Sequence, residues 1–300
     1  MQDYSTQKVG PAVGFALLAA ALWGVSGTVA ADAFSELAPA RVAQARSMVA
    51  LALLLPYAWH RGLLGTSGTG RRLVAFGLVL ATVQVTYYWA VERLGVAPGV
   101  TLQFLGPILI LVWMASRQKR RVPKLVWMAG LLALSGTVMV TRAWDVDSLD
   151  LLGVVAGLGA AVTMAAYLLM GESLTKRLSP VTLLTYGFMV AAGFWAVAQP
   201  LWQFPTDLST KAWVELLWVG VGGTMIPFLA TMAALRRASA AVVGVVASFE
   251  PVIAAVSAWW FLSQSLAPVQ VIGGLFVVAA VAFVQRFGVA EVEVPLDSVR

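Results

Sequence analysis

A carboxylate, two amides and two aromatic rings stand inside long apolar runs of this chain, where polar groups are costly: Glu250, Gln84, Gln103, Trp23 and Tyr88. Glu250 lies about 12 residues from the basic pair Arg236-Arg237, which at about 1.5 Å per residue places it near or just beyond mid-membrane. Gln84 and Gln103 lie almost symmetrically about the break at Arg93, so antiparallel neighbours would hold both at a similar depth. Trp23, about 12 residues into the first run, reaches the same layer. Tyr88 follows Gln84 by four residues and shares its helix face, whereas Tyr87 is expected to point elsewhere. An ionised carboxyl facing lipid would cost at least about 3 kcal/mol, so Glu250 must face a cavity, find a partner or stay protonated. One carboxylate, two amides and aromatic walls suit a small zwitterion or amphipathic metabolite, with Glu250 as the candidate for proton coupling.

Plainer roles compete with these. Gln84 and Gln103 can simply bridge helices, and Glu250 can bond to backbone freed by Pro251. Trp23 and Tyr88 can serve packing alone. Gly222, Gly223 and Pro227 mark either a hinge for alternating access or a place where small residues let helices approach.

Catalysis finds little to work with. His60 is the only histidine and there is no cysteine, so neither a buried Ser-His pair nor a His- or Cys-based metal site can be built. The run from Gly65 to Arg71 lacks the Gly-Lys-Ser/Thr ending of a phosphate loop and reads as a linker. No enzyme activity, cofactor or metal is expected.

The elements that must position these side chains follow from composition. The 300 residues are 60% hydrophobic and 11% charged, too few polar groups to cover a water-soluble fold. Ten apolar runs are long enough to cross a bilayer: 11–31, 38–59, 73–92, 95–116, 124–142, 151–171, 180–199, 212–235, 239–262 and 268–286. The first is too long for a signal peptide's apolar core and reads as a retained helix. With ten spans, fifteen Lys and Arg fall on one side and five on the other, which puts both termini in the cytoplasm. This scatter through short loops, rather than a basic face, argues against nucleic acid as the partner of the +6 charge.

The runs form two copies of one plan. Arg93, Pro107 and Gly130 recur as Arg237, Pro251 and Gly274, each 144 residues later. Five spans per copy is an odd number, so the second copy enters the membrane from the opposite face, as inverted-repeat transporters do. The expected layout is a cytoplasmic tail 1–10, a first five-helix repeat 11–148, a second 149–287 and a cytoplasmic tail 288–300. The polar layer is not repeated, since Phe228 and Ala247 stand where Gln84 and Gln103 would recur.

Ten spans in two halves, Leu22-Trp23-Gly24, Arg46 early in the second span, and the Pro107 and Glu250-Pro251 segments resemble the EamA branch of the drug/metabolite transporter superfamily. Within it, Gln103-Phe-Leu-Gly-Pro107 and Leu235-Arg-Arg-Ala-Ser-Ala240 are similar to amino-acid exporters. Where relatives often carry Gly-Glu near the end of the ninth span, this chain has Ser263-Gln264, so no role for that carboxylate transfers. The resemblance implies an all-α secondary transporter of the inner (plasma) membrane that exports amino acids or related compounds by alternating access. Its expected partners are a small-molecule substrate, membrane lipids and a proton or counter-substrate. A nucleotide-sugar transporter, a passive channel and a lipid-moving protein are the alternatives.

Overall fold

The computed structural model describes residues 10–33, 36–66, 68–145, 150–262 and 265–287. The expected tails up to residue 9 and from 288, with Lys8 and Arg300, and the Ser263-Gln264 pair lie outside them. Among the described residues the chain is helical throughout, without a β-strand. The first half contains α1 (Gly10–Ala33), α2 (Pro39–His60), α3 (Gly70–Leu94), α4 (Val96–Gln103), α5 (Gly106–Ser116) and α6 (Lys124–Thr141). The second contains α7 (Leu151–Thr175), α8 (Pro180–Ala198), α9 (Thr210–Gly220), α10 (Ile226–Leu235), α11 (Ala240–Ala247), α12 (Glu250–Leu262) and α13 (Pro268–Phe287). Counting α4–α5, α9–α10 and α11–α12 as one span each, ten helices are long and apolar enough to cross a membrane.

Three expected spans are interrupted. α4 stops and α5 begins just before Pro107, and α11 stops and α12 begins just before Pro251. Proline has no N–H and its ring crowds the carbonyl four residues earlier, so a helix crossing it loses a rung. The third interruption joins α9 to α10 through a π-helical turn, Val221–Met225. Its counterpart 144 residues earlier lies within the unbroken α3.

Packing repeats between the halves with their roles exchanged. α3 lies against α7 as α9 and α10 lie against α1, and α4 and α5 pack on α7 as α11 and α12 pack on α1. α3 meets α8 as α9 meets α2, while α2–α8 and α6–α13 pair across the centre. Such an exchange is what a two-fold relation between inverted copies produces.

Sequence chemistry sets the local geometry. Asp150, Ser179, Ser209 and Ser239 cap the starts of α7, α8, α9 and α11, accepting bonds from orphan N–H groups of the first turn. Gly95 alone turns α3 into α4, at φ +84°, a conformation that costs glycine little. At the α6–α13 crossing a Cβ on Gly136 would stand 2.6 Å from the carbonyl oxygen of Gly273, so these two backbones touch because neither has a side chain. The outer faces stay apolar: Leu78, Val112, Leu131, Val155 and Leu275 are between 47% and 62% exposed, a surface that lipid can cover and water cannot favourably wet.

Candidate functional site

Three helix faces line up around one central space. On α7 the series Met164, Leu168, Glu172 advances by four residues, on α11 the series Ala240, Val243, Ala247 by three or four, and on α1 the series Ala16, Ala19, Trp23, Ser26 by three or four. Between them is a cavity of about 20 Å³, room for roughly one water molecule. Trp23, Gln103 and Glu250 all line it, together with Thr231 and apolar residues including Met164 and Leu168. The space is therefore too small for a metabolite, which would need the helices to part.

The two helix breaks aim at this space. Pro107 and Pro251 leave the carbonyls of Gln103 and Ala247 without their usual donor four residues on, and both residues line the cavity. Glu250 begins α12 with its carboxyl beside the break. Its counterpart 144 residues earlier is Gly106, where an added Cβ would meet the carbonyl of Ala161 at 3.2 Å. The first half thus packs tightly where the second presents an acid.

Gln84 and Tyr88 do not line the cavity. They share a face of α3, as their spacing predicts, but that face turns to α2: the Gln84 amide lies 3.4 Å from the Ser47 hydroxyl, and the Tyr88 hydroxyl accepts from Arg46 Nη1 at 3.1 Å. Where Gln84 would recur, Phe228 sits in an aromatic cluster with Trp23, Tyr167 and Phe188 at centroid distances of 5.3 to 5.5 Å.

Sequence alone offers Arg46 only as a charge early in the second span and as part of the resemblance. It lies two turns inside α2, half-buried, with Nε donating to Thr224 Oγ1 at 2.7 Å and Nη2 to the Gly223 carbonyl at 2.7 Å. That carbonyl is the one that Pro227 cannot serve, and Thr224 in turn donates to the Val219 carbonyl five residues back. Gly223 also touches α1 closely, since a Cβ there would come within 2.6 Å of Ser26 Cβ. The Gly222, Gly223 and Pro227 stretch is thus a π turn packed against α1 and held by an arginine. Tyr87, expected to point elsewhere, keeps its ring centroid 5.5 Å from that of Tyr88, because adjacent helical residues diverge by only about 100°.

Glu172 was not singled out. Buried near the end of α7, it accepts from Arg120 Nη1 at 3.0 Å and from the Ala240 backbone N–H at 2.9 Å. It therefore joins the loop after α5 to the start of α11, one turn beyond the cavity residues Leu168 and Val243, and closes the end of the bundle where basic residues gather. Its signal was a carboxylate four residues before Lys176 at the end of an apolar run. Among the described residues no group of three or more His, Cys, Asp or Glu could hold a metal.

Comparison with known proteins yields a consistent picture. The EamA-like transporter family matches twice, over residues 10–142 and 151–286. The threonine/homoserine exporter RhtA of Escherichia coli K12 is 27% identical over 217 residues, 69% of this chain and 68% of that protein. The pseudopaline exporter CntI of Pseudomonas aeruginosa is 26% identical over 274 residues, 90% and 94% of the two chains. A solved crystal structure shares the fold with a TM-score of 0.78 at 17% identity, covering 91% of this chain and 96% of the other.

Proposed function

Because this chain belongs to the EamA-like transporter family, and is a multi-pass membrane transporter, we propose that it exports amino acids or closely related amphipathic compounds across the inner (plasma) membrane by alternating access. The observation that carries this reading is the central cavity, bounded by broken helices from both halves and holding a single carboxylate, Glu250. Trp23, Gln103 and Glu250 contact substrate, while Gln84 and Tyr88 support the wall from α3. The π turn at Gly222 and Gly223, with Pro227, bends as the halves exchange shapes, and Glu250 carries the coupling proton. Both termini lie in the cytoplasm, following the basic residues.

Relatives named as exporters of threonine, homoserine and pseudopaline support an amino-acid-like cargo. A nucleotide sugar fits less well, since its phosphates call for more cationic side chains than the cavity lining, which has none, and Arg46 beyond it supply.

Counterflow in proteoliposomes with a panel of labelled amino acids, threonine and homoserine first, tests the reading. Saturable exchange of at least one is expected, and its absence for all of them overturns the substrate assignment. A pH gradient should drive accumulation, and Glu250→Gln should abolish that drive while leaving exchange. Unchanged pH dependence in Glu250→Gln removes the proton role.

A further inference from the structure

The cavity is electrically lopsided. Its wall carries the Glu250 carboxylate and the residues, Gln103 and Ala247, at which α4 and α11 end. At each break the end of one helix abuts the start of the next, so their dipole ends offset, but each break also leaves a carbonyl whose helical donor a proline has removed. One carboxyl group and two residues with unserved carbonyls, drawn from both halves, therefore line the space, and no cationic side chain does.

The balancing charge lies outside the cavity's lining. Along α1, Ser26 lies one turn past Trp23 and touches Gly223, the residue whose carbonyl Arg46 holds. Arg46 makes three hydrogen bonds among the described residues, to Gly223, Thr224 and Tyr88. A guanidinium has five N–H groups, so two remain for another acceptor. On α1, Gly24 packs against the Glu250 backbone, where an added Cβ would stand 2.8 Å from its carbonyl, and Ser26 packs against Gly223, so one turn of α1 spans from one charge to the other, yet no ion pair within 4.0 Å joins Glu250 and Arg46. Opposite charges held near each other but apart are a receptor for a ligand carrying the complementary pair at short separation.

Resting on the transport reading above, we propose that Glu250 and Arg46 form a bipolar site for one α-amino acid zwitterion: the ammonium group lies at Glu250 among the carbonyls of Gln103 and Ala247, and the carboxylate lies on the two remaining N–H groups of Arg46. The carboxylate arrives at the side chain that also fastens the π turn. Substrate recognition and the bend between α9 and α10 thus share one residue. An ammonium without a carboxylate, or a carboxylate without an ammonium, satisfies only half of the site.

The test is competition against labelled threonine counterflow in proteoliposomes, with unlabelled threonine, threoninamide and 3-hydroxybutanoate as competitors; if another amino acid of the panel is the one carried, its amide and deaminated acid take their places. In the unmodified protein each half-ligand is expected to compete at least tenfold more weakly than the zwitterion. Arg46→Gln should bring the zwitterion down to within twofold of its amide, Glu250→Gln should bring it to within twofold of the deaminated acid, and Arg46→Lys should restore part of the preference for the carboxylate. Equal competition by amide and amino acid in the unmodified protein overturns the proposal, and that result does not depend on any variant folding. A preference retained in full by Arg46→Gln overturns the role of Arg46 while the transport reading stands. Absence of exchange for every amino acid overturns both.

Discussion

Arg46 donates from Nη2 to the carbonyl of Gly223 over 2.7 Å, replacing the N–H that Pro227 lacks four residues on. A side chain from the first half therefore completes a backbone rung in the second. Charge-assisted bonds of this kind are worth about 1.5–3 kcal/mol, more than a neutral pair in the same place. The bend at Val221–Met225 is held by a residue from another helix as well as by its own backbone bonds, such as that from the Ile226 N–H to the Val221 carbonyl.

Gly223→Ala should be poorly tolerated. The new methyl would overlap the Ser26 side chain and push α1 from α10, at a cost of about 1–3 kcal/mol of overpacking. Removing the Ser26 side chain in the double variant with Ser26→Gly should recover most of the loss. Thermal unfolding in detergent and initial transport rates measure the recovery, and strictly additive effects would show that the contact is not the cause.

The two amides should behave differently. Gln103 lines the cavity, so Gln103→Leu should raise KM by about tenfold, equivalent to about 1.4 kcal/mol of binding. Gln84 meets only Ser47, over a long 3.4 Å, so Gln84→Leu should leave KM within about twofold and change stability by less than about 1 kcal/mol. Equal effects on KM would remove the distinction.

Glu172→Gln keeps an acceptor for the Ala240 N–H and loses the ion pair with Arg120. Arg120 is 23% exposed, so the pair is worth less than a fully buried one, about 1–2 kcal/mol. The end of the bundle below Leu168 and Val243 should open more often. The chain has no cysteine, so a single Val243→Cys reports this cleanly. Its labelling by a membrane-impermeant maleimide from the basic-rich side should rise about tenfold, which corresponds to about 1.4 kcal/mol in the opening equilibrium. An unchanged rate would show that Glu172 does not hold that end shut.

Asp150 links acidity to stability outside the bilayer. Its carboxyl is held below the ordinary carboxylate range, chiefly by the hydrogen bond from Arg93 and then by the N–H groups of Gly153 and Leu152. A lowered folded-state value means the stabilisation is present above the unfolded pKa and is lost as pH falls through the folded one. Thermal unfolding should show a drop on acidification over that interval. Asp150→Asn keeps a cap but no charge, so it should be less stable at neutral pH and lose less on acidification. The same acid response in both proteins would place its origin elsewhere.

Much of the architecture could be read from residue order alone because the bilayer imposes a coarse rule: an apolar run of sufficient length crosses it. Pro107 and Pro251 marked the paired segments, and their 144-residue offset recurs in the helix breaks. Trp23, Gln103 and Glu250 were grouped by depth, and depth is what helical rise provides. Rotation was harder. Gln84 and Tyr88 have the right depth and share a face, but tertiary packing turns that face toward Ser47 and Arg46. Arg46 stands early in the second span, but nothing in that position reveals its role, because its partners lie 177 and 178 residues away in sequence. The π turn left no periodic mark, since Gly222 and Gly223 are equally at home in a closely packed α-helix.

The pairing of Glu250 with Gly106 across the repeat has a thermodynamic consequence. Two inverted copies with identical sequences would interconvert by mirror exchange, and their two facing states would be equal in energy and equally populated. Here an acid faces a glycine across the pseudo-axis, Gln84 faces Phe228, and a π turn faces an unbroken stretch of α3. For a chain that alternates as proposed, each mismatch lifts that degeneracy. A net difference of about 1.4 kcal/mol already leaves ten molecules facing one way for each facing the other, and substrate, arriving at the asymmetric residues themselves, acts on the same imbalance.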